Sequence, residues 1–357
     1  MSDFFLNLYK KTIDTSALKN HVISPFSVFN ALGMLYLGSG STTKDILDII
    51  FVSNDSIENI IKGVENSKRD CTFINANAVY YEGKLKARFE PQLEERFHVK
   101  AKNLPFSKNK QICVKEINSF VKTATKGLIK EIVARESLSH ETKLIIVNAI
   151  YFKAEWCLPF NKNDSYISNF YCDNGDKVQT DFMTQTQDFY YFRCDQLECR
   201  SIQMKFKNSD FLCTIILPDK DITSLYESLL ADNGNFKRLF DPKEYSMNEV
   251  DLTLPKFKFE FTANFKEPLI SLGLGELFSS EVDLSNMLED KGVRVYDIYQ
   301  KAVFEMNEEG AEAAAASTIC VDGPTDTINF QANRPFIFSL ITKAGVPVFI
   351  GHYVKPM

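Results

Sequence analysis

Eight cysteines and four histidines are the first places to look for chemistry in this chain. Cys71, Cys113, Cys157, Cys172, Cys194, Cys199, Cys213 and Cys320 are widely spaced, and no two form a CxxC pair. The closest, Cys194 and Cys199, have no neighbouring His to complete a metal-ligand set. They read as free thiols, with neither a metal site nor a disulfide framework expected. His21, His98, His140 and His352 lie in no recognisable catalytic context, so the chain is not read as an enzyme and no cofactor is expected. The segment that departs from ordinary patterning lies between Val303 and Asn333. Glu308-Glu309-Gly310-Ala311-Glu312 runs into Ala313-Ala314-Ala315-Ala316-Ser317-Thr318, then Ile319-Cys320-Val321-Asp322-Gly323-Pro324-Thr325-Asp326-Thr327. Alanine is the best helix former, so the plain reading is a short helix and a loop. A second reading stands beside it. Small side chains suit a segment that slides between two existing strands, where a bulky group would have to be accommodated in packed space. Gly310 would then serve as a hinge.

The elements around this segment read as helices first and sheets later. Phe4, Phe5, Leu8, Ile13 and Leu18 form an approximate helical stripe. Ser24-Pro25 precedes a long apolar helix over Phe26 to Gly38, and short helices follow over Lys44 to Ile50 and Asp55 to Lys68. Thr72 to Tyr81 alternates as a strand, Phe89 to Phe97 and Cys113 to Leu128 are helical, and Lys143 to Phe152 is apolar enough for a strand buried on both faces. Beyond it, Phe189 to Phe192, Arg200 to Phe206, Phe211 to Leu217, Val250 to Phe261 and Val293 to Met306 read as strands. Leu269 to Leu277 reads as a helix interrupted by Gly273 and Gly275. Phe336 to Thr342 and Pro347 to Tyr353 look like a closing hairpin. No repeat and no linker divides the 357 residues, so the expectation is one α+β domain over 1–357.

Composition excludes several function classes. The chain is 45% apolar and 25% charged with net charge −6, and its basic residues are scattered, which argues against nucleic acid as a partner. No segment approaches the ~18 apolar residues of a membrane span. The amino terminus lacks a basic start and an apolar stretch, so the expectation is a cytoplasmic protein, with export only by an unconventional route.

Taken in order, the motifs resemble the serpin family over nearly the whole chain. Val22-Ile23-Ser24-Pro25-Phe26-Ser27-Val28 and Leu35-Tyr36-Leu37-Gly38-Ser39-Gly40-Ser41-Thr42 resemble the family's second helix and its entry. Val147-Asn148-Ala149-Ile150-Tyr151-Phe152-Lys153-Ala154-Glu155-Trp156 with Pro159-Phe160 is a highly specific serpin stretch. Leu254-Pro255-Lys256-Phe257, Leu272-Gly273-Leu274, Leu277-Phe278-Ser279, Asp283-Leu284-Ser285, Lys301-Ala302-Val303, Asn307-Glu308-Glu309-Gly310 and Asn333-Arg334-Pro335-Phe336 continue it. The resemblance, closest to intracellular-type (clade B-like) inhibitory members, implies three β-sheets, eight or nine helices and an exposed reactive-centre loop at about 308–328. It also implies a mechanism: a protease cleaves the loop, an acyl-enzyme forms, and the freed arm inserts into the main sheet, carrying the protease with it.

The same resemblance assigns site residues. Glu309, Gly310, Ala311, Glu312, Ala313, Ala314, Ala315 and Ala316 match the hinge; Ala313 to Ala316 meet the small, uncharged pattern of inhibitory members, and Glu312, usual at its position, would face outward by strand alternation. Ala311 stands where Thr or Ser is usual. Trp156, Lys256 and Glu308 match the breach at the top of the sheet, the last two as an ion pair. Ser24, Ser27 and Asn148 match the shutter beneath it, where the family's usual His is Gln300, a group that also donates and accepts. Family spacing places the residue before the scissile bond at Pro324, which suits few proteases. Asp322, with Ile319 three residues before it and Gly323 after it, resembles a caspase site. Asp326 suits an Asp-directed serine protease, and Gly323 and Thr325 suit elastase-like enzymes. Cleavage at Asp322 shortens the arm, as in viral relatives that bait caspases. The expected partner is a target protease in covalent complex with a monomer, with loop-sheet polymers as a side product. The stretch Asp55 to Lys68 carries only Lys62 and Lys68, which argues against heparin. The competing expectation is a non-inhibitory serpin serving as chaperone, carrier or storage protein.

Overall fold

Leu144–Lys153 is buried at every position but its last, and that burial fixes its place at the centre of a sheet covered on both faces. A computed structural model describes residues 3–51, 57–68, 71–290, 292–308 and 327–356. In it this strand belongs to a five-stranded sheet. The order is Phe257–Asn264, Asp297–Met306, Leu144–Lys153, Thr72–Tyr81, Ala101–Asn103. The two central neighbours, Asp297–Met306 and Leu144–Lys153, run parallel, in register from Asp297 opposite Ile145 to Phe304 opposite Phe152. Their outer partners, Phe257–Asn264 and Thr72–Tyr81, run antiparallel to them.

One face of this sheet is covered by the helix Lys110–Ala124. Asn109 caps it, and Cys113, Ile117 and Val121 pack on Ala76, Ala78, Val147, Ala149 and Val303. The other face joins the main core, through the helix Pro25–Gly38. That helix is apolar nearly all round and correspondingly buried. Ser24 caps its start by accepting from the Ser27 N–H at 3.2 Å, and Pro25 occupies the first turn, where its missing N–H costs nothing.

Among the described residues the second sheet has nine strands. Its longest, Lys177–Cys194, pairs with Tyr166–Tyr171, Cys199–Lys205 and Ser246–Pro255 along different parts of its 18 residues. This one strand fuses two of the three expected sheets into a continuous hydrogen-bonded network. Among the described residues there are nine α-helical segments.

Several boundaries differ from expectation, each for a local reason. The first helix stops at Thr12, whose hydroxyl donates back to the Tyr9 carbonyl, so Ile13 and Leu18 pack outside it. Val250 to Phe261 is two strands, Ser246–Pro255 and Phe257–Asn264, which belong to different sheets and meet at Lys256. The helix expected over Leu269 to Leu277 is a single turn at Lys266–Leu269 followed by irregular turns, because Gly273 adopts φ +89. The helices Ile222–Ala231 and Asn233–Phe240 and the short strands His21–Ile23 and Ile328–Gln331 had no counterpart in the pattern reading.

Candidate functional site

The Leu144–Lys153 and Asp297–Met306 strands both end at the top of the five-stranded sheet, and the three residues matched to the breach converge there. Trp156 is 5% exposed and stacks on Phe206, ring centroids 4.5 Å apart at 16°. Its Nε1 donates to the Asn307 carbonyl at 2.9 Å. The Phe160 N–H donates to the Glu308 carbonyl at 3.2 Å. The Glu308 carboxylate accepts from Lys256 Nζ at 2.9 Å and from Ser165 Oγ at 2.6 Å. Burial alone would raise the Glu308 carboxyl, but the Ser165 hydroxyl and the Lys256 ammonium outweigh it and hold the group below the usual Glu range. Lys256 also has Asp181 at 3.9 Å. The chain is therefore clamped at residues 307 and 308, immediately before the alanine-rich segment. Ser165 was invisible in the sequence, since nothing local links it to a carboxylate 143 residues away.

Beneath the sheet, Gln300 is 1% exposed. Its Oε1 accepts from the Ser24 N–H at 2.8 Å, its Nε2 donates to the Ser24 carbonyl at 2.9 Å, and it contacts the Ser27 hydroxyl. Both functions of the amide are used, and the strand is tied to the first turn of the Pro25–Gly38 helix. Asn148 lies opposite Gln300 in register but belongs to a different group. Its Nδ2 donates to Asn75 Oδ1 at 2.6 Å and Asn77 Oδ1 at 2.7 Å, while its own Oδ1 is buried without a partner. Ser24, Ser27 and Gln300 form one cluster and Asn148 another. The signal for the second was present in the sequence: Asn75 and Asn77 are two polar, half-buried residues in a strand that is otherwise largely apolar.

The seam between the two parallel strands is held differently from its flanks. Asn264 donates to Asp297 at 2.9 Å, Lys258 pairs with Glu305 at 2.9 Å, and Lys301 pairs with Glu260 at 2.8 Å, all on the outer side of the Asp297–Met306 strand. The Asn148 bonds face the outer side of the other strand. Among the described residues no side-chain hydrogen bond or ion pair crosses the seam itself. Backbone bonds and apolar packing alone join the central pair.

Glu309, Gly310, Ala311, Glu312, Ala313, Ala314, Ala315 and Ala316 of the hinge lie outside the described residues. So do the bond candidates Asp322, Gly323, Pro324, Thr325 and Asp326. The chain resumes at Thr327, and Ile328–Gln331 pairs parallel with Ser246–Pro255.

A family model described as Serpin (serine protease inhibitor) matches residues 1–356. The chain is a member of the serpin family. It is 32% identical to antichymotrypsin-2 of Bombyx mori, over 98% of this chain and 95% of that one. It is 30% identical to the human leukocyte elastase inhibitor, over 99% and 97% respectively. Among solved structures, the native stressed conformation of an Arabidopsis serpin superposes with TM-score 0.85 at 27% identity, covering 98% of this chain and 95% of that one. This serpin's fold class is thus the α+β one expected.

Proposed function

We propose that this serpin inhibits proteases as a suicide substrate, with the segment after Glu308 as bait and an Asp-directed protease as target. One observation carries the reading. The central pair of the five-stranded sheet runs parallel, no side chains bond across it, and the chain leaves its upper end at Met306. A segment turning back from that point would lie antiparallel to both neighbours and form hydrogen bonds with each. Once a protease cuts the bait and is held as the acyl-enzyme, the arm beginning at Glu309 enters the seam and carries the protease towards the lower pole.

Arm length bears on which bond is cut. Cleavage after Asp322 leaves residues 309–322, fourteen in all, which extend to about 48 Å at ~3.4 Å each. The strand to be flanked, Asp297–Met306, has ten residues, or about 34 Å. The shorter arm therefore fills the seam, and Asp322 remains the favoured bond, ahead of Asp326 and of Gly323 to Thr325. A caspase-like cysteine protease and a granzyme-like serine protease both match an Asp at the cut. We infer further that it acts as a monomer in the cytosol. Cys113, Cys157, Cys172, Cys194, Cys199 and Cys213 are free thiols, which suits a reducing compartment.

The test is incubation of the full chain with Asp-directed proteases of both classes. A denaturant-resistant covalent complex, with a released carboxyl-terminal peptide beginning at Gly323 by mass spectrometry, supports the reading. Cleavage without a complex against every protease tried, and no rise in melting temperature on cleavage, would point instead to a carrier, chaperone or storage role.

A further inference from the structure

Between the helices Pro25–Gly38, Ser41–Phe51, Ile57–Ser67 and Phe89–Phe97 lies a cavity of about 450 Å³, within the ~300–1,000 Å³ of small-molecule sites. None of its lining residues belongs to the breach or the shutter. Part of the lining is apolar: Leu37, Ile57 and the rings of Tyr36 and Phe97, all half-buried. Gly33 lets these groups close on the first helix, since a Cβ there would meet two Phe97 ring carbons at 3.0 Å and Ile57 Cγ2 at 3.1 Å. The Tyr36 ring is held edge-on by Phe51, centroids 5.2 Å apart, and Asp48 lies beside its hydroxyl.

The charged part of the lining is mostly cationic. Lys44, Arg88 and Arg96 stand against one carboxylate, Glu58. Arg88 caps the start of Phe89–Phe97 and Arg96 lies two turns along it, so both present to the same side of the cavity with Gln92 between them. Arg88 donates to the neutral Asn286 Oδ1 at 2.5 Å, and Lys44 Nζ sits 5.4 Å from the centre of the Tyr36 ring. Among the described residues neither Lys44 nor Arg88 forms an ion pair with a carboxylate. Arg96 reaches Glu58 at 3.6 Å with both side chains about half exposed, a pair that holds weakly. The excess is therefore two positive charges, in a chain whose net charge is −6.

We propose that this cavity binds a small aromatic phosphate monoester. Such a group carries close to two negative charges at pH 7, which matches the excess. Guanidinium forks suit its oxygens, and the Lys44 ammonium adds a point charge. The aromatic body packs on Tyr36 and Phe97, space that inorganic phosphate leaves unfilled. A neutral ring of the same size would leave the three cations unanswered.

The experiment is isothermal titration calorimetry of the intact full chain with 1-naphthyl phosphate, and in parallel with inorganic phosphate and with 1-naphthol. One naphthyl phosphate per chain is expected, with each of the other two at least about tenfold weaker, the worth of a charge-assisted hydrogen bond or of a buried ring. Two changes at exposed positions should move the affinity in opposite directions. Arg88→Gln should weaken it about tenfold. Glu58→Gln, which removes the one lining carboxylate and frees Arg96, should tighten it about threefold, a gain that general destabilisation does not produce. The absence of saturable binding overturns the proposal. So does an equal affinity for inorganic phosphate or for naphthol, an affinity that Arg88→Gln leaves unmoved, or one that Glu58→Gln fails to raise.

Discussion

Breaking the Lys256–Glu308 clamp should cost different amounts from its two sides. In Glu308→Ala the carboxylate and its two bonds, to Lys256 and Ser165, disappear together. Lys256 is then not stranded: its side chain is 27% exposed and Asp181 lies 3.9 Å away. The cost is that of hydrogen bonds to a charged group, about 2 kcal/mol. In Lys256→Met the stem is kept but the charge is lost. The Glu308 carboxylate, only 10% exposed, is left with Ser165 alone, and an uncompensated buried charge costs ~3–5 kcal/mol. Unfolding entropy near 2.1 cal/mol/K per residue gives about 0.75 kcal/mol/K for this chain, so the expected falls in Tm are about 3 °C and about 5 °C. The Glu308 carboxyl titrates below its ordinary value. The stabilisation is therefore complete above the unfolded pKa and is lost as pH falls through the folded one, so the variants should converge on the parent in acid. Calorimetry of the intact protein at pH 7 reads the ranking. A larger loss in Glu308→Ala than in Lys256→Met, or a fall below about 1 °C in both, would refute the reasoning.

Burial holds His21 down to about 3 and His352 to about 4. The unfolded chain takes up their protons first as pH drops below about 6.5, so urea denaturation should show about 4 kcal/mol less stability at pH 5 than at pH 7; a flat profile over that window contradicts it. Gln300→Leu strands the buried Ser24 N–H and carbonyl and should destabilise the intact protein by about 3 kcal/mol, read by chemical denaturation, while Gln300→His, which keeps a donor and an acceptor, should lose less. Ala315→Arg, on the face opposite Glu312 in an extended arm, would bury an unpaired guanidinium as the arm inserts, so covalent complex yield should fall by about tenfold or more while bait cleavage continues, as counted on denaturing gels.

Elements whose apolar period is unbroken were legible in the sequence. Leu144–Lys153 could be placed inside a sheet because nothing polar interrupts it except Asn148 and its terminal Lys153. Lys177–Cys194 could be recognised only at its aromatic end. Its start alternates exposed and half-buried residues, and its first half pairs with two different strands; such positions carry little burial signal. Resemblance named Lys256, Glu308 and Trp156 together, and these three do converge. The same route grouped Asn148 with Ser24, Ser27 and Gln300, whereas side-chain direction and reach give it to Asn75 and Asn77. Ser165 and the Asn307 carbonyl complete the clamp through contacts of long sequence separation, which no local pattern encodes.

The placement of polar groups explains why opening would occur at one seam and no other. A buried amide or carboxylate makes a strand hard to peel away, because separation strands it. In the five-stranded sheet every such group on the central strands is committed outward or downward. Asp297, Lys301 and Glu305 reach the Phe257–Asn264 strand, Asn148 reaches Thr72–Tyr81, and Gln300 reaches the helix below. Parting Asp297–Met306 from Leu144–Lys153 therefore breaks backbone bonds that an incoming strand replaces twice over, and the side-chain bond at risk is the one from Trp156 Nε1 to the Asn307 carbonyl, just above the strand ends. Parting either flank would orphan several. The Lys256–Glu308 clamp sits outside the seam, at the point where the incoming segment must turn, so it restrains entry without adding to the cost of the opening itself.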